Sequence, residues 1–506
     1  MCCRRRPLRA DQGQPKPGIR RVTSGDPILL GRPLAAAQGR AGSPGGIVGT
    51  DRNGADRKLA IVGLGYVGLP LAIAFVEAGL AVEGIDASEA RVAELREGRS
   101  PIDDVSDDRL AGALASGLSV SGTGDADVAA AAAIVVCVPT PISEAKDPDL
   151  EPVLAAAGLI AQRLRRGQLV ILQSTTYPGT TSGPFRRELE RSGLVAGRDF
   201  DLAFAPERVN PGDPASASRD IPRLVGGLTP AGTSRAAALL GHINNRVIGL
   251  SSPDAAELAK LLENVFRNVN IALVNQLALL CERMGLDVWE IIDAAATKPF
   301  GFMPFRPGPG VGGHCIPVDP YYLSWRARQF DFVDRFVELA GDINLAMPRH
   351  VVDLVAEALN DRSRAVRGSR VAVIGVAFKP NVRDPRNSPA ADVIALLRDR
   401  GAIVQYHDPH VPTFVDGGGV QATSQSLVEL LAGADAVVVL TAHRAVDWKA
   451  VQERAQLIVD TVGVTRDWAL APRQVLRLGA GWVPTVGEPS LAEPGTVRAG
   501  PAATIG

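Results

Sequence analysis

Residues 58–68, KLAIVGLGYVG, decide the fold of this chain. A short apolar strand runs into glycines spaced as GxGxxG, at Gly63, Gly65 and Gly68, and the segment LPLAIAFVEAGL follows with a helical pattern. In such a strand–turn–helix unit the first glycine permits the tight turn, the second lets the backbone approach a pyrophosphate, and the third allows close helix packing. The helix N-terminus adds amide donors and a positive dipole. The stretch therefore predicts a dinucleotide site at the start of a doubly wound α/β domain.

The next predicted strand, AVEGID, ends in Asp86. A carboxylate there, about 20 residues beyond the glycines, would hold the ribose hydroxyls of an adenosine. It favours NAD over NADP because a 2′-phosphate would meet a negative charge, although the nearby Arg91 makes that preference less strict. A glycine turn that binds nothing is the alternative, and the strand, the helix and Asp86 together favour NAD.

The pattern of strand and helix recurs along the chain. Short apolar runs alternate with longer helical periods, and residues 370–380, RVAVIGVAFKP, have the pattern of a second strand and glycine turn. This predicts two Rossmann-like, doubly wound domains. Residues 254–284 contain neither glycine nor proline and predict one joining helix of roughly 46 Å. Its segment IALVNQLALL is apolar on nearly every face, which predicts burial against a second subunit in a homodimer.

The same reading divides the chain into regions. We expect an NAD-binding domain at 58–250, a central helical domain with a cysteine loop at 251–360, and a second Rossmann-like domain at 361–484. Residues 1–57 and 485–506 are rich in small residues and proline and lack apolar periodicity, so a disordered extension and a flexible tail are expected there.

Composition excludes several classes of partner. The 506 residues are 46% hydrophobic and 22% charged, and their net charge of -1 gives no electrostatic footprint for nucleic acid. No apolar run approaches the roughly 20 residues of a membrane span, and the N-terminus lacks the apolar segment of an export signal. The five cysteines form no CxxC pair and no metal-ligand spacing, so neither disulfides nor a metal site are expected. A reducing cytoplasm fits best.

Lys260 and Asn264 project from one face of the long helix. Beside Glu257 and Glu263 they can belong to a solvated charged face. The surrounding helix is apolar, however, and a partly desolvated ammonium can stabilise an oxyanion while an amide orients the same oxygen. Both interpretations stay open from spacing alone.

Residues 310–323, GVGGHCIPVDPYYL, hold Cys315. A cysteine among glycines is often a packed small residue, as we expect for Cys137 and Cys281 in apolar segments. Here the glycines leave the backbone open to a ligand, and Asp319 can act as a base or organise a charged partner. His314 is given a structural role.

Other candidates follow predicted strands, at the edge of the sheet where ligands bind. Thr140 lies in CVPTP and Thr175 in QSTTYPGT, where hydroxyls can reach a cofactor or substrate. The loop FAPERVNPGDP carries Glu207, Arg208 and Asn210. An exposed turn with solvated charges is the alternative for that loop.

Together these segments resemble the UDP-glucose/GDP-mannose dehydrogenase family over residues 58–484, closest to its UDP-N-acetylhexosamine 6-dehydrogenases. The segments that carry the resemblance occur in the family's order: IVGLGYVGLPLA, CVPTP, STTYPGTT, PERVNPG, LAKLLENVFRNVNIALVNQL, GFMPFRPGPGVGGHCIPVDPYYL and GVAFKPNVRDPRNSPA. The resemblance implies an NAD domain, a UDP domain and a dimer built on the joining helix. It also implies oxidation of a sugar C6 alcohol to a carboxylate, through aldehyde, thiohemiacetal and thioester, with two NAD, for surface polysaccharide precursors.

The resemblance assigns roles to individual residues. It implies that Cys315 is the nucleophile and that Lys260, with its helix partner Asn264, stabilises oxyanions. It also implies that Asp319 is the carboxylate associated with that lysine and with water. It implies that Glu207 assists proton transfer and that Thr175 holds the catalytic water. The implied cofactor residues are Gly63, Gly65, Tyr66, Val67, Gly68, Asp86, Arg91, Thr140 and Thr175. The implied substrate residues are Glu207, Arg208, Asn210, Lys260, Asn264, Arg306, Gly312, Gly313, Lys379 and Arg386.

Gln173 departs from the family pattern, and so do Arg383 and Asn387, whose departures concern the geometry around Arg386. UDP-N-acetylglucosamine is the favoured substrate and UDP-glucose the alternative. A two-electron NAD dehydrogenase and a non-catalytic nucleotide-binding regulator are remoter hypotheses. The GGHC segment argues against the first, and the intact Cys315, Lys260 and Asp319 argue against the second.

Overall fold

The computed structural model describes residues 58–102, 104–143, 146–208 and 219–483. The predicted extension at 1–57 and the predicted tail at 485–506 lie outside the described residues.

The N-terminal domain is an eight-stranded sheet in the order β3-β2-β1-β4-β5-β6-β7-β8. β1 to β6 run parallel, while β7 is antiparallel to β6 and parallel to β8. The first six strands thus have the doubly wound order, as predicted. The strands are β1 (Lys58–Val62), β2 (Val82–Asp86), β3 (Leu118–Gly122), β4 (Ala131–Val136), β5 (Leu169–Leu172), β6 (Asp201–Phe204), β7 (Arg223–Gly227) and β8 (Val247–Leu250).

Helices cover both faces of this sheet. In β1, Leu59 and Ile61 pack into one apolar cluster and Ala60 and Val62 into another, because successive side chains of a strand point to opposite faces. A sheet buried on both faces needs continuous apolar strands, which explains the runs in the sequence. The helices are α1 (Gly68–Glu77), α2 (Glu89–Arg96), α3 (Asp107–Ala115), α4 (Glu151–Ala161), α5 (Arg186–Glu190) and α6 (Pro230–Leu240).

The predicted joining helix is α7 (Pro253–Met284). The Ser252 hydroxyl caps its start by accepting from the Ala255 amide at 3.1 Å, and Gly285 ends it in the left-handed conformation with φ of 67°. Three more helices complete the central region: α8 (Val288–Ala296), α9 (Asp319–Arg328) and α10 (Arg335–Asp361).

The C-terminal domain repeats the doubly wound plan with a six-stranded sheet in the order β10-β9-β13-β14-β15-β16. All neighbours are parallel except β15 and β16, and β11 with β12 forms a separate antiparallel pair. The predicted second Rossmann-like domain is therefore confirmed. Its elements are β9 (Arg370–Ile374), α11 (Pro389–Asp399), β10 (Ile403–His407), β11 (Thr413–Val415), β12 (Gln421–Thr423), α12 (Leu427–Leu431), β13 (Ala436–Val439), α13 (Trp448–Arg454), β14 (Ile458–Asp460), β15 (Val475–Arg477) and β16 (Gly481–Trp482).

Within the described ranges, no helix combines the length and the apolar character needed to cross a bilayer.

Candidate active site

In the glycine turn after β1, two positions have no room for a side chain and the third faces open space. A Cβ at Gly63, whose φ is 92°, would lie 2.6 Å from the Cys137 carbonyl oxygen, and a Cβ at Gly68 would overlap the carbonyl oxygen of Gly63. A Cβ at Gly65 would meet no atom within 4 Å. The turn and the helix packing therefore require Gly63 and Gly68, while the space beside Gly65 is free for a pyrophosphate.

Asp86 closes β2 beneath this turn. Its Oδ2 accepts a hydrogen bond from the Leu64 amide at 2.8 Å, and its Oδ1 accepts from the Ser88 amide at 2.9 Å. The Arg91 guanidinium forms an ion pair with Oδ2 at 3.2 Å. A carboxylate has about four lone-pair sites, so Oδ1 keeps capacity for a ribose hydroxyl. The turn and Asp86 fit the adenosine half of NAD.

The C-terminal domain has an aspartate at the corresponding place, but more donors of the protein occupy its acceptor sites. Asp408, which follows β10, accepts from the Val376 and Ala377 amides at 2.7 and 3.0 Å and pairs with His443 Nε2 at 3.0 Å. The residue is buried, which opposes ionisation, but the hydrogen bonds outweigh burial and lower its pKa to about 2. Its Oδ1 also accepts from the His410 and Val411 amides at 2.8 and 3.1 Å, whereas Asp86 Oδ1 accepts from one amide. The GxGxxG turn and a carboxylate with a free acceptor site occur together in the first domain, which therefore holds the candidate dinucleotide site.

A second group of side chains forms where α7 meets the start of α9. The Cys315 carbonyl oxygen accepts from the Asp319 amide at 2.8 Å, so the cysteine lies in the turn that leads into α9. Asn264 of α7 donates to Asp319 Oδ2, and Arg267 donates to Asn264 Oδ1. The charge of Lys260 acts on both the Cys315 thiol and the Asp319 carboxyl. The structure therefore brings these predicted residues together.

Burial controls the Asp319 carboxyl. Its side chain is 4% exposed, and this desolvation raises its pKa to about 6. The charge of Lys260, the hydrogen bond from Asn264 and the charge of Arg267 oppose the increase. Near neutral pH the group is therefore mostly a carboxylate that can still accept a proton, as a base requires.

The Cys315 side chain is open to solvent at one side. The protein that surrounds it on the others, followed by the charge of Asp319, raises the pKa of the thiol, and the cations of Lys260, Arg267 and Arg386 oppose that increase. The thiol is thus accessible, and it needs a nearby base to become a nucleophile.

The α7 face that carries these residues is buried. Lys260 is 7% exposed, and no hydrogen bond or ion pair ties its ammonium to another residue in the described part of the chain. Glu257, one turn earlier, is fully buried and accepts from the amides of Gly179 and Thr181 at 2.6 and 2.9 Å. The solvated-face interpretation is therefore wrong. Glu257 instead fixes the loop that begins at Thr175.

Helix α9 holds the same loop from the other side. Arg326 Nε donates to the Pro178 carbonyl oxygen at 2.9 Å. The Tyr322 hydroxyl contacts the carbonyl oxygens of Thr140 and Pro141, both at 2.9 Å. The two threonine loops that follow β4 and β5 are thus tied to the helix that begins beside Cys315.

Glu207, after β6, has cationic and amide partners. Its Oε2 accepts from Gln173 Nε2 at 3.0 Å and pairs with Arg223 Nη2 at 3.0 Å. The departure at Gln173 therefore supplies a neutral donor to this carboxylate. Arg208 pairs with Glu263 of α7 at 2.6 Å, which connects the loop to the central helix.

The cysteine loop rests on the C-terminal domain. The Gly313 amide donates to the Arg386 carbonyl oxygen at 3.3 Å, and Asn387 Nδ2 donates to the Gly313 carbonyl oxygen at 3.2 Å. A Cβ at Gly312 would lie 2.8 Å from both the Asn387 carbonyl oxygen and Phe378. Asn387 has a φ of 52°, a left-handed conformation that asparagine tolerates. The departure at Asn387 thus provides a donor that a carboxylate would lack.

An arginine of the C-terminal domain contacts the glycine turn of the N-terminal domain. The Arg386 guanidinium lies 4.8 Å from the centre of the Tyr66 ring and donates to Asp384 with Nε at 2.8 Å and Nη2 at 2.6 Å. Tyr66 belongs to the glycine turn, and Val67 is the N-cap residue of α1. Arg386 therefore connects the dinucleotide turn with the loop that holds the cysteine.

Family models match most of the described chain. The NAD binding domain model of the UDP-glucose/GDP-mannose dehydrogenase family covers residues 57–244, its central domain model 254–346, and its UDP binding domain model 372–467. The chain belongs to the UDP-glucose/GDP-mannose dehydrogenase family. It is an NAD-dependent oxidoreductase that acts on a nucleotide sugar.

Individual relatives agree with this membership. The chain is 39% identical over 363 residues to a UDP-N-acetyl-D-glucosamine 6-dehydrogenase of Pseudomonas aeruginosa, covering 70% of this chain and 83% of the relative. It is 35% identical over 416 residues to a UDP-N-acetyl-D-mannosamine dehydrogenase of Pyrococcus horikoshii, covering 81% and 96%. The solved structure of UDP-D-ManNAc dehydrogenase from Pyrococcus horikoshii aligns with a TM-score of 0.76 at 34% identity, covering 84% and 100%.

The substrate roles predicted for Arg306, Lys379 and Asn210 stay predictions for this dehydrogenase. Arg306 pairs with Asp293 of α8, and its guanidinium lies 5.9 Å from the Trp289 ring centre. Lys379 is half-buried in the turn after β9. Asn210 lies outside the described residues.

Sequence reasoning missed the residues that hold the candidate catalytic side chains in place. Arg267 orients Asn264, Arg223 pairs with Glu207, and Glu257 anchors the Thr175 loop. A signal existed for Glu257, because it shares a helix face with Lys260 and Asn264. No local pattern indicates Arg223, whose partner Glu207 lies in the loop that follows another strand.

Proposed function

We propose that this dehydrogenase oxidises the C6 alcohol of a UDP-N-acetylhexosamine, with UDP-N-acetylglucosamine favoured, to the carboxylate in two steps at Cys315. The assembly of Cys315, Lys260, Asn264 and Asp319 at one point carries the proposal, because a two-electron alcohol oxidation needs no thiol. The names of the Pseudomonas and Pyrococcus relatives support an N-acetylhexosamine. UDP-glucose stays the second candidate, since a solved UDP-glucose dehydrogenase from Pyrobaculum islandicum aligns with a TM-score of 0.74 at 29% identity.

NAD, when bound at the glycine turn, accepts a hydride from C6 in each of the two oxidations. In the first, the hydroxyl proton leaves to a base, for which Glu207 is the proposed group, and an aldehyde results. The Lys260 ammonium and the Asn264 amide would stabilise negative charge on the C6 oxygen, because they act in a water-poor site where such interactions are strong.

In the second oxidation the Cys315 thiolate bonds to the aldehyde carbon and forms a thiohemiacetal. This adduct keeps a hydrogen on C6, so a hydride can leave and a thioester results. Water held near Thr175 then adds to the thioester, Asp319 takes a proton from that water, and the carbon–sulfur bond breaks to release the acid and the thiolate. The balance is one alcohol, one water and two NAD giving one carboxylate, two NADH and three protons.

The proposal is tested by counting NADH per UDP-sugar consumed, in wild type and in Cys315→Ser. We expect two NADH per sugar in the wild type. The variant should stop before the acid is released, because a serine adduct does not give a labile thioester. A ratio of one in the wild type would rule out Cys315 as the nucleophile, and so would undiminished acid formation by Cys315→Ser. Binding of NAD and UDP-sugar without NADH would favour a regulator. A panel of UDP-glucose and the UDP-N-acetylhexosamines identifies the sugar.

We also propose that the enzyme is a homodimer that works in the cytoplasm. Large apolar side chains are exposed along a single face of α7, opposite its buried polar residues, and such a face over a whole helix indicates a partner surface. They are Leu258, Leu262, Phe266, Leu273, Leu280 and Met284. The cytoplasm is proposed because it is reducing and the Cys315 thiol has to stay reduced.

A further inference from the structure

Helix α7 carries more buried polar side chains than the proposed chemistry uses. Beyond Lys260 and Asn264, the same helix buries Asn268 and Asn275 to 5% and 0% exposure. Neither is bonded to Asp319 or Cys315 in the described residues. Buried amides are expensive unless all their groups are hydrogen-bonded, so their partners show what they hold.

Asn275 and Asn268 belong to a directed chain of hydrogen bonds. Asn275 Nδ2 donates to Asn344 Oδ1 of α10 at 3.0 Å, and Asn344 Nδ2 donates to Asn268 Oδ1 at 2.9 Å. At the other end, Asn275 Oδ1 accepts from the Gly308 amide at 2.9 Å. Bonds that run in one direction polarise and strengthen one another, and burial increases their energy. The chain therefore ends on the backbone of the loop that leads to Cys315.

Gly308 is the only backbone donor available at that point. Pro307 and Pro309 flank it and have no amide hydrogen. Two residues further on, a Cβ at Gly310 would lie 3.3 Å from the Asn344 carbonyl oxygen, so the loop runs directly over α10. Its far end is fixed at Gly313 by the C-terminal domain. The cysteine loop is thus held at its beginning as well as at its end.

We propose that Asn275 is a positioning residue for Cys315, and that it acts with Asn344 by fixing Gly308. One face of α7 then sets three segments against each other: Glu257 fixes the Thr175 loop, Asn264 holds Asp319, and Asn275 holds the start of the cysteine loop. This inference rests on the proposed role of Cys315. A leucine has the same branching at Cγ but no group that can fix the loop, which explains amides at positions that packing alone would leave apolar.

The first test does not depend on a substitution at Asn275. Amide hydrogen exchange in the segment around Gly308 is well resolved because its neighbouring prolines contribute no signal. We expect slow exchange at Gly308 in the wild type and about tenfold faster exchange in Asn344→Leu, which leaves Asn275 in place but removes the partner that orients it. Free exchange at Gly308 in the wild type would overturn the proposal. If Asn275→Leu does not fold, this measurement decides alone.

The second test separates positioning of the cysteine from general damage. In Asn275→Leu we expect acid formation to fall about ten- to hundredfold, with the sugar aldehyde now trapped by hydroxylamine, because a loop displaced by about 1 Å slows the step that needs the thiol. The first oxidation and the Kd for NAD should stay within about twofold of wild type, since the glycine turn is not touched. The double variant with Asn344→Leu should be no worse than the single one.

Three results would refute a positioning role. They are an equal loss of rate in both oxidations, a parallel rise in the Kd for NAD, and a double variant whose loss of rate is the product of the two single losses. Failure of the proposed function is distinguishable. In that case Cys315→Ser still forms the acid, while the exchange rate of Gly308 continues to report whether Asn275 holds the loop.

Discussion

Gly65→Ala should separate cofactor binding from folding. A Cβ at Gly65 meets no atom within 4 Å, and Gly65 is not among the glycines with positive φ. An alanine therefore fits the free protein, and the loss of glycine's freedom in the unfolded chain should stabilise it by about 0.4–1 kcal/mol. Gly68→Ala is the contrast, because its Cβ would overlap the Gly63 carbonyl oxygen and at least one of the two segments has to move.

The effect on NAD follows from the same space. The added methyl group stands where the pyrophosphate approaches the backbone, so amide hydrogen bonds to the phosphates would lengthen or be lost. Hydrogen bonds to charged groups contribute about 1.5–3 kcal/mol each, so losing one weakens binding about ten- to hundredfold.

Calorimetric titration with NAD and thermal unfolding of the free protein measure both quantities. Gly112→Ala in α3 is the matched control, since a Cβ there also meets nothing within 4 Å and lies away from the turn. It should leave the Kd for NAD unchanged. An unchanged Kd in Gly65→Ala would mean that the open space is not the pyrophosphate site, and a fall in Tm like that of Gly68→Ala would refute the clearance argument.

Three further predictions follow from the burial or exposure of single side chains. Asn264→Ala removes a hydrogen bond that lowers the pKa of Asp319, which is about 6 in the wild type. The acid limb of the kcat/KM profile should therefore move up by about one pH unit, and an unmoved limb excludes Asp319 as the origin of that limb. Burial raises the pKa of Glu257 to about 7. The protonated side chain therefore contributes its full stabilisation below the unfolded pKa of about 4.3, and this contribution is lost as the pH rises through about 7. The decline in Tm from pH 5 to 8 should therefore be smaller in Glu257→Gln, and identical profiles would contradict this. Leu273→Glu places a charge on the exposed face of α7 and should give a monomer by light scattering, whereas retained dimer mass moves the interface elsewhere.

Much of the fold could be predicted because its signals are local. The glycine turn and Asp86 lie within one strand–helix–strand unit, and α7 was expected over 254–284 and is observed as Pro253–Met284. The antiparallel β7 was not expected, since the direction of a strand depends on the path of the loops around it. The substrate roles of Arg306 and Lys379 stay predictions.

The sequence by itself determined the two doubly wound domains, the joining helix and the glycine turn, because each depends on neighbours along the chain. It also nominated the reactive residues, through the resemblance of its segments to a family. Only the tertiary structure decided how those residues are held. Glu257 is buried because a loop 78 residues earlier closes over it, and Asn275 reaches Gly308 through a side chain of α10. Burial and hydrogen-bond partners are set by contacts distant in sequence, so no local pattern could assign them.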